Sequence, residues 1–408
     1  MAEPLTQATS QDGESNASAF GAMSPALLDG LRVIEVSSFV AAPLGGMTLA
    51  QLGAEVIRVD PLGGGPDIER WPVADSGTSL YWTGLNKGKR SVTVDFRSAE
   101  GQQQIIDLIT EPGAGRGILL TNAVGRPFLD DAVLRARRPD LIHLQIRGRH
   151  DGGPAVDYTV NAATGFPMVT GPQGHTDPVN HVLPAWDIAC GLYAALGITA
   201  AERRRGRTGE GGFLSVALHD VALAMAGNLG FLAEAQVNKV ARERIGNHLY
   251  GGFARDFTCR DGERVMVVAL TRRHWRDLVA VTGMAAPVEA LEAGLGVDFT
   301  RETDRFTYRE VLAGLFARWF GEHTLDDVTA ALTGTAVLWE RYRSFADVVT
   351  DVRSNPMMTT IAQPGVGEYL APGSPLCVDG QPISAVPAPE LGEHTQEILA
   401  PAGKGGVA

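Results

Sequence analysis

Residues 31–59 alternate between two hydrophobic periods. Leu31–Val36 is a short apolar, β-branched run, and Leu44–Leu52 carries apolar residues at helical spacing with Gly53 just past its last turn. Val56–Val59 is a second β-branched run. Strand, helix and strand within about 30 residues form a βαβ unit. Its strands are parallel and its crossover right-handed. The alternation continues through strands at Ser91–Asp95, Gly117–Thr121 and Leu141–Arg147, with helices at Ala99–Ile109 and Asp130–Ala136 between them. This predicts a Rossmann-like α/β domain around a parallel sheet, over residues 28–235.

A helix is expected over Ile188–Arg205, closed by Arg203, Arg204, Arg205 and Gly206, with Arg207 close by. The basic side chains would complement its negative end. A second helix at about Ala217–Leu232 is apolar nearly all round and should be buried. The character then changes. Phe253–Cys259 and Arg264–Ala269 flank an Asp261-Gly262 turn, as in a hairpin, and helical patterns follow to about Leu332. This is a smaller α+β domain over 250–340. The tail from Asn355 is rich in Pro and Gly and ends in a helical signal at Glu393–Leu399. Residues 1–27 are rich in Ser, Ala, Gly and acid, lack the pattern of a signal peptide, and are expected to be a disordered extension.

The chain of 408 residues has 35 basic and 47 acidic side chains, a net charge of −12. A field of that sign repels phosphate backbones and anionic lipid, so neither nucleic acid nor a membrane surface is an expected partner. No apolar run approaches the roughly 20 residues needed to cross a bilayer. Three scattered cysteines, Cys190, Cys259 and Cys377, give neither a disulfide framework nor a zinc site and suit a cytoplasmic protein.

Asp60 closes the second strand, where a dinucleotide fold places its ribose-binding acid. The preceding turn, Ser37–Pro43, has none of the glycines that let a backbone approach a pyrophosphate, so nicotinamide cofactors are not expected. Gly113, Gly115 and Gly117 precede a strand rather than follow one and read as a turn. No nucleophile elbow, zinc-binding helix motif or paired-cysteine motif occurs, and no metal is expected.

Asp187 stands directly before the long helix and has two readings. It is a good N-cap. It is also well placed as a nucleophile, since a positive helix end keeps a carboxylate ionised and stabilises an anion beside it. His150, after Arg147 and Arg149, ends a strand at the ligand-binding edge of the sheet, or is a solvated loop histidine. The basic turn Asn86–Ser91 is either a solvated loop or a contact for nucleotide phosphates.

The stretches Gly30–Glu35, Leu49–Asp60, Leu85–Ser91, Arg207–Gly211 and Leu391–Thr395 together resemble family III CoA-transferases (the CaiB/BaiF type), in order and over nearly the whole chain. The resemblance implies an interlocked homodimer and a return of residues 345–400 to the large domain. It implies that Asp187 is the catalytic nucleophile. By position it places CoA against Val40, Ala41, Asp95, Phe96, Arg97, Asn122 and Arg147. The only cofactor implied is the CoA moiety of the substrate. Pro61 replaces an Arg that holds the nucleotide in formyl-CoA transferases. Racemases of the family carry a His as second acid–base where Val156 stands here, and a valine cannot carry a proton.

Phe39–Met47, Asp157–Asn161, Asn180–Ile188, Gly246–Gly251 and Pro372–Leu376 resemble the branch that moves CoA between the two carboxyl groups of one mesaconate (2-methylfumarate) molecule, in a carbon-fixation cycle. The substrate implied is the CoA thioester of a small dicarboxylic acid. Its free carboxylate needs a cation or donors in a closed pocket. Arg149, His150 and His181 are the candidates, with Asn161 and Asn180 as neutral donors and His181 favoured. Backbone N–H groups near Gly251 would shield the intermediates.

Overall fold

The computed structural model describes residues 26–400; the extension expected over 1–27 lies, as far as residue 25, outside them. The first half of the chain runs β1 (Arg32–Val36), α1 (Ala41–Gln51), β2 (Glu55–Pro61), α2 (Leu80–Leu85), β3 (Arg90–Val94), α3 (Ala99–Ile109), β4 (Ile118–Thr121), α4 (Asp131–Arg137) and β5 (Ile142–Arg147). It continues through α5 (Asp157–Ala163), α6 (Phe166–Val169), α7 (Ala185–Thr208), β6 (Gly212–Ala217), α8 (Leu218–Asn228) and α9 (Phe231–Val237). The six strands form one sheet in the order β3-β2-β1-β4-β5-β6, with every neighbouring pair parallel. The order reverses between β1 and β4, so the turns that leave these two strands diverge and open a crevice, where such folds bind ligands.

Side chains alternate across the sheet. Val33, Val56, Leu120, Leu144 and Ile146 pack with α1, α7 and α8 on one face, while Ile34, Ile57, Val59, Val92 and Leu119 pack with α3 and α4 on the other. Helices α1 and α7 cross closely because both carry glycine at the crossing. A Cβ on Gly45 would come within 2.9 Å of the Gly191 carbonyl oxygen, and one on Gly191 within 2.5 Å of that of Ala41. This crossing sets the start of α1 one helical turn from Asp187.

Two charged side chains of β2 point into the α1 and α7 face. Arg58, fully buried, donates from Nε (2.8 Å) and Nη2 (3.0 Å) to the two carboxylate oxygens of Asp60. Its guanidinium also bonds both oxygens of Asp67 (3.0 and 3.1 Å) and Asn86 Oδ1 (3.1 Å). Lys89 is buried beside them, donating to Glu35 (2.9 Å), Asn86 (2.8 Å) and the Pro43 carbonyl (2.8 Å). The basic turn Asn86–Ser91 is therefore neither a solvated loop nor an open phosphate site. Burial holds the Lys89 ammonium down to about 8, against the opposing pull of Glu35.

The helix expected at Ala217–Leu232 is broken. Ala217 ends β6, and α8 and α9 are separated at Leu229 and Gly230, whose φ of +82° suits glycine. Leu218, Val221, Ala222 and Ala226 are buried, whereas Leu223, Leu229 and Leu232 are exposed. One face packs inward and the other is left open. Arg205, expected only to complement the end of α7, is buried and donates to the carbonyls of Gly117 (3.1 Å) and Asp140 (3.2 Å).

A separate hydrophobic cluster follows. Strands β7 (Phe253–Thr258), β8 (Arg264–Ala269) and β9 (Leu338–Arg341) form an antiparallel sheet. Helices α10 (Arg272–Val281), α11 (Ala285–Leu295), α12 (Glu302–Thr307), α13 (Arg309–Glu322) and α14 (Leu325–Leu332) cover it. Beyond them the Pro- and Gly-rich tail contains helix α15 (Phe345–Asp351) and two hairpins, β10 (Met358–Gln363) with β11 (Gly367–Pro372) and β12 (Ser374–Val378) with β13 (Gln381–Ile383). The chain then reaches the free edge of β3. The His394 N–H donates to the Ser91 carbonyl (2.9 Å), the Gly392 N–H to Ser91 Oγ (2.9 Å) and the Thr93 N–H to Thr395 Oγ1 (3.0 Å). Helix α16 (Thr395–Leu399) follows.

Candidate active site

Helix α7 begins two residues before Asp187, so this aspartate is not its N-cap. The cap position is Pro184, which has no side-chain acceptor. The first N–H groups of the helix are satisfied from elsewhere. Asp157, buried on α5, accepts from the N–H of Trp186 (2.7 Å) and of Asp187 itself (3.2 Å). The positive helix end is thus spent on Asp157. The Trp186 indole donates to Asn161 Oδ1 (3.2 Å) and packs on Phe166 at 4.9 Å, which fixes the first turn of α7.

Asp187 is half-buried. Its carboxyl is pushed up to about 7, first by burial and then by the charge of Asp157, while Arg70 acts in the opposite direction. The expectation of a carboxylate held ionised by the helix end is thereby corrected, because the neighbouring carboxylate takes those N–H groups. The consequence is chemical. An ionised Asp187 is more basic than an ordinary carboxylate, and losing its charge would relieve its repulsion from Asp157. Cys190, one turn further on, is buried, and burial pushes its thiol up to about 12, so it is not a competing nucleophile.

The turn after β1 leads into α1, which crosses α7 at Gly191, one helical turn beyond Asp187. Val40 and Ala41 are buried at the start of α1, where the Ala41 carbonyl meets α7 at Gly191. Asn122, after β4, spans the crevice: its Oδ1 accepts from the Ser38 N–H (3.0 Å) and its Nδ2 donates to the Ser38 carbonyl (2.8 Å). Phe39 has a φ of +66°, uncommon for a residue with a side chain, and its N–H donates to Asp67 (3.1 Å). Asp95, Phe96 and Arg97 leave the end of β3. The Asp95 carboxylate accepts the Arg97 N–H (2.9 Å), and Phe96 lies under the guanidinium of Arg126 at 5.0 Å. A cavity of about 510 Å³ beside them is lined by Leu62, Asp95, Ser98, Gln104, Thr395 and Leu399.

The residues proposed for the free carboxylate divide. The charges that shift the Asp187 carboxyl are those of Asp157 and Arg70, and Arg149, half-buried, stands in the turn after β5. His150 is exposed and lies 3.4 Å from Asp220. Asn161 is buried under Trp186, and its Nδ2 donates to Asn180 (3.2 Å). Both ring nitrogens of His181 are engaged, one with the Leu183 carbonyl and the other with Asn161 (3.1 Å). These three side chains build the platform on which α7 starts. Arg147, at the end of β5, bonds Gln145 (2.7 Å) and stacks on Phe213 at 5.6 Å, on the sheet face away from α7. Gly251 lies in the turn leading into β7, with φ +81°.

Sequence reasoning missed Asp157 as a cap, and it missed Asp67, Arg70 and Tyr81. The one available signal was a charge pair, Arg58 and Asp60, inside an otherwise apolar strand, which demands buried partners. Among the described residues no group of three or more His, Cys, Asp or Glu is placed to hold a metal ion, and no helix is long and apolar enough to cross a membrane.

Comparison with known proteins agrees with this architecture. The family model "CoA-transferase family III" matches residues 28–395. The chain is 50% identical over 379 residues to a 2-methylfumaryl-CoA isomerase of Chloroflexus aurantiacus, covering 91% of this chain and 93% of the relative. It is 28% identical over 400 residues to a succinyl-CoA:mesaconate CoA-transferase of Haloarcula hispanica, covering 93% and 97%. Among solved structures, a CAIB/BAIF family protein from Brucella suis superposes with a TM-score of 0.75 at 25% identity, over 92% of this chain and 99% of that one. With the sheet order, the crevice and this match from residue 28 to 395, the chain belongs to CoA-transferase family III.

Proposed function

We propose that this enzyme interconverts 2-methylfumaryl-CoA and 3-methylfumaryl-CoA by moving CoA between the two carboxyl groups of one mesaconate molecule, with Asp187 as nucleophile. The observation that carries this reading is a basic, half-buried carboxylate in the first turn of α7. It occurs in a chain half identical, along nearly its full length, to a 2-methylfumaryl-CoA isomerase. An Asp187 oxygen attacks the C1 thioester carbonyl and expels the CoA thiolate, giving a mixed anhydride. The thiolate attacks the aspartyl carbonyl of that anhydride, forming an Asp187–CoA thioester and freeing the C1 carboxylate. Mesaconate turns round, its C4 carboxylate attacks the aspartyl thioester, and the thiolate leaves again. Attack of the thiolate on the C4 carbonyl of the new anhydride restores Asp187. Each step exchanges one acyl bond for another, so no redox partner is consumed.

CoA would lie along the crevice past Val40, Ala41 and Asn122, with its nucleotide end toward Asp95, Phe96 and the adjoining cavity. Purified protein is expected to convert 2-methylfumaryl-CoA with no added acid, followed by chromatography. Isotopically labelled free mesaconate in the mixture should stay out of the product thioester. A requirement for added succinate, or incorporation of label, would establish an intermolecular transferase instead.

The assembly proposed is a homodimer of interlocked chains. Leu192 (50% exposed), Tyr193 and Leu196 (62%) form an open stripe on α7, and Leu223, Leu229, Leu232 and Val237 extend the open apolar surface across α8 and α9. A monomer would leave all of these large apolar side chains in water. Light scattering should give twice the 43.2 kDa chain mass, with no folded monomer on dilution. A stable monomer would remove the second chain as the cover for these helices.

A further inference from the structure

The isomerisation proposed above poses a problem of charge: one carboxylate of the substrate is always free, and it must be held near an acidic residue. Left unpaired, it is repelled by that like charge. Arg70 is the cation whose charge acts on Asp187. Its guanidinium lies 5.6 Å from the ring centre of Phe39 and 5.1 Å from that of Tyr81, and it pairs with no carboxylate among the described residues. It is exposed at the mouth of the crevice.

The surroundings hold that position. The Arg70 N–H donates to the Asp67 carbonyl (3.2 Å), its carbonyl accepts from Ser79 Oγ, and the Asp67 carboxylate is gripped by buried Arg58. The same carboxylate fixes the N–H of Phe39 in its left-handed conformation. One buried aspartate therefore positions both the cation and the ring beneath it.

Resting on the isomerase reading, we propose that Arg70 binds the free carboxylate of the mesaconyl thioester and is a specificity-determining residue for dicarboxylate substrates. A trans double bond keeps the two carboxyl groups at opposite ends of a rigid ligand. With Asp187 attacking one end, a guanidinium at the other end receives C4 when C1 is attacked and C1 when C4 is attacked. Its planar fork matches a carboxylate with two parallel bonds, which lysine cannot reproduce.

The test uses the full-length enzyme, Arg70→Gln and Arg70→Lys, and two dead-end ligands. One is a CoA thioether ending in a free carboxylate, and the other is its methyl ester. In Arg70→Gln, kcat/KM for 2-methylfumaryl-CoA should fall at least a hundredfold, with an intermediate loss in Arg70→Lys and partial rescue of the Gln variant by free guanidinium. Binding of the acid thioether should weaken at least tenfold, while the ester binds as to the wild type, which also reports an intact fold. Equal weakening of both ligands, or of neither, would overturn the proposal. Failure of the wild type to interconvert the two thioesters would instead strike the isomerase reading. The ligand pair separates these cases because it reads the carboxylate site without turnover.

Discussion

Asp187→Asn is expected to lower turnover more than a thousandfold, a barrier increase of about 4 kcal/mol, while CoA still binds. The amide keeps the shape of the carboxylate but cannot form the anhydride. Hydroxylamine added during turnover should convert the aspartyl thioester of the wild type into a hydroxamate on the peptide that contains Asp187, and leave the variant unmarked. Retention of a tenth of the activity would rule out the covalent route. The raised carboxyl gives the same residue a pH signature. With Asp187 titrating at about 7 and only the ionised form attacking, kcat/KM should rise about tenfold per pH unit below 7 and level off above it. Asp157→Asn should move that inflection to lower pH, since its charge contributes to the upward shift. Stability should run the opposite way. The folded state holds the Asp187 proton more tightly than the unfolded chain, whose carboxyl titrates near 3.8. Stability is therefore lost as pH rises through 7. Asp187→Asn should be the more stable protein at pH 8, by on the order of a few kcal/mol, with the difference vanishing near pH 4. Thermal melts at the two pH values read this directly.

Arg58→Met is expected to cost about 3–5 kcal/mol of stability, because it strands Asp60 and Asp67 in the interior without their shared cation. The methionine fills much of the space, so the loss reports charge rather than volume. A fall in thermal midpoint of roughly 10 °C or more follows from that energy for a domain of this size. Adding Asp60→Asn to Arg58→Met should recover part of the loss, since one uncompensated charge disappears. A single variant that melts within 2 °C of wild type, about 1 kcal/mol or less, would mean that water already screens the pair. The same substitution should lower activity before unfolding, because Asp67 would no longer be held against Phe39.

The elements of the sheet were legible because each strand and its crossover helix carries its own hydrophobic period. The observed boundaries lie within three residues of those expected. The start of α1 moved by three residues: Pro43 looked like the end of a turn, yet it sits in the first helical turn, where a missing N–H costs nothing. The two hairpins between Met358 and Ile383 were hidden by their proline and glycine content. Asp187 was reached through the order of family-like stretches, whereas its chemical environment was not. That environment is made by Asp157 on a helix 30 residues upstream and by Arg70 more than 100 residues away, and no local spacing encodes either meeting. The same limit applies to His181. Its nearness to Asp187 along the chain suggested a ligand, but its partners turn it toward Asn161.

The coverage of β3 has a consequence for how the protein is made. This strand is an edge of the sheet, and the groups that meet its open backbone lie about 300 residues later, as the separation of 303 between Ser91 and His394 shows. On a ribosome delivering roughly 5–20 residues per second, the edge would stay bare for tens of seconds while the 253–341 segment emerges. An uncovered strand is a template for pairing with a neighbouring nascent chain. Here that strand opens with Arg90, whose side chain meets Glu55 at 3.0 Å and also meets Glu397. A charge placed there guards the edge during synthesis and later becomes part of the lock that closes it.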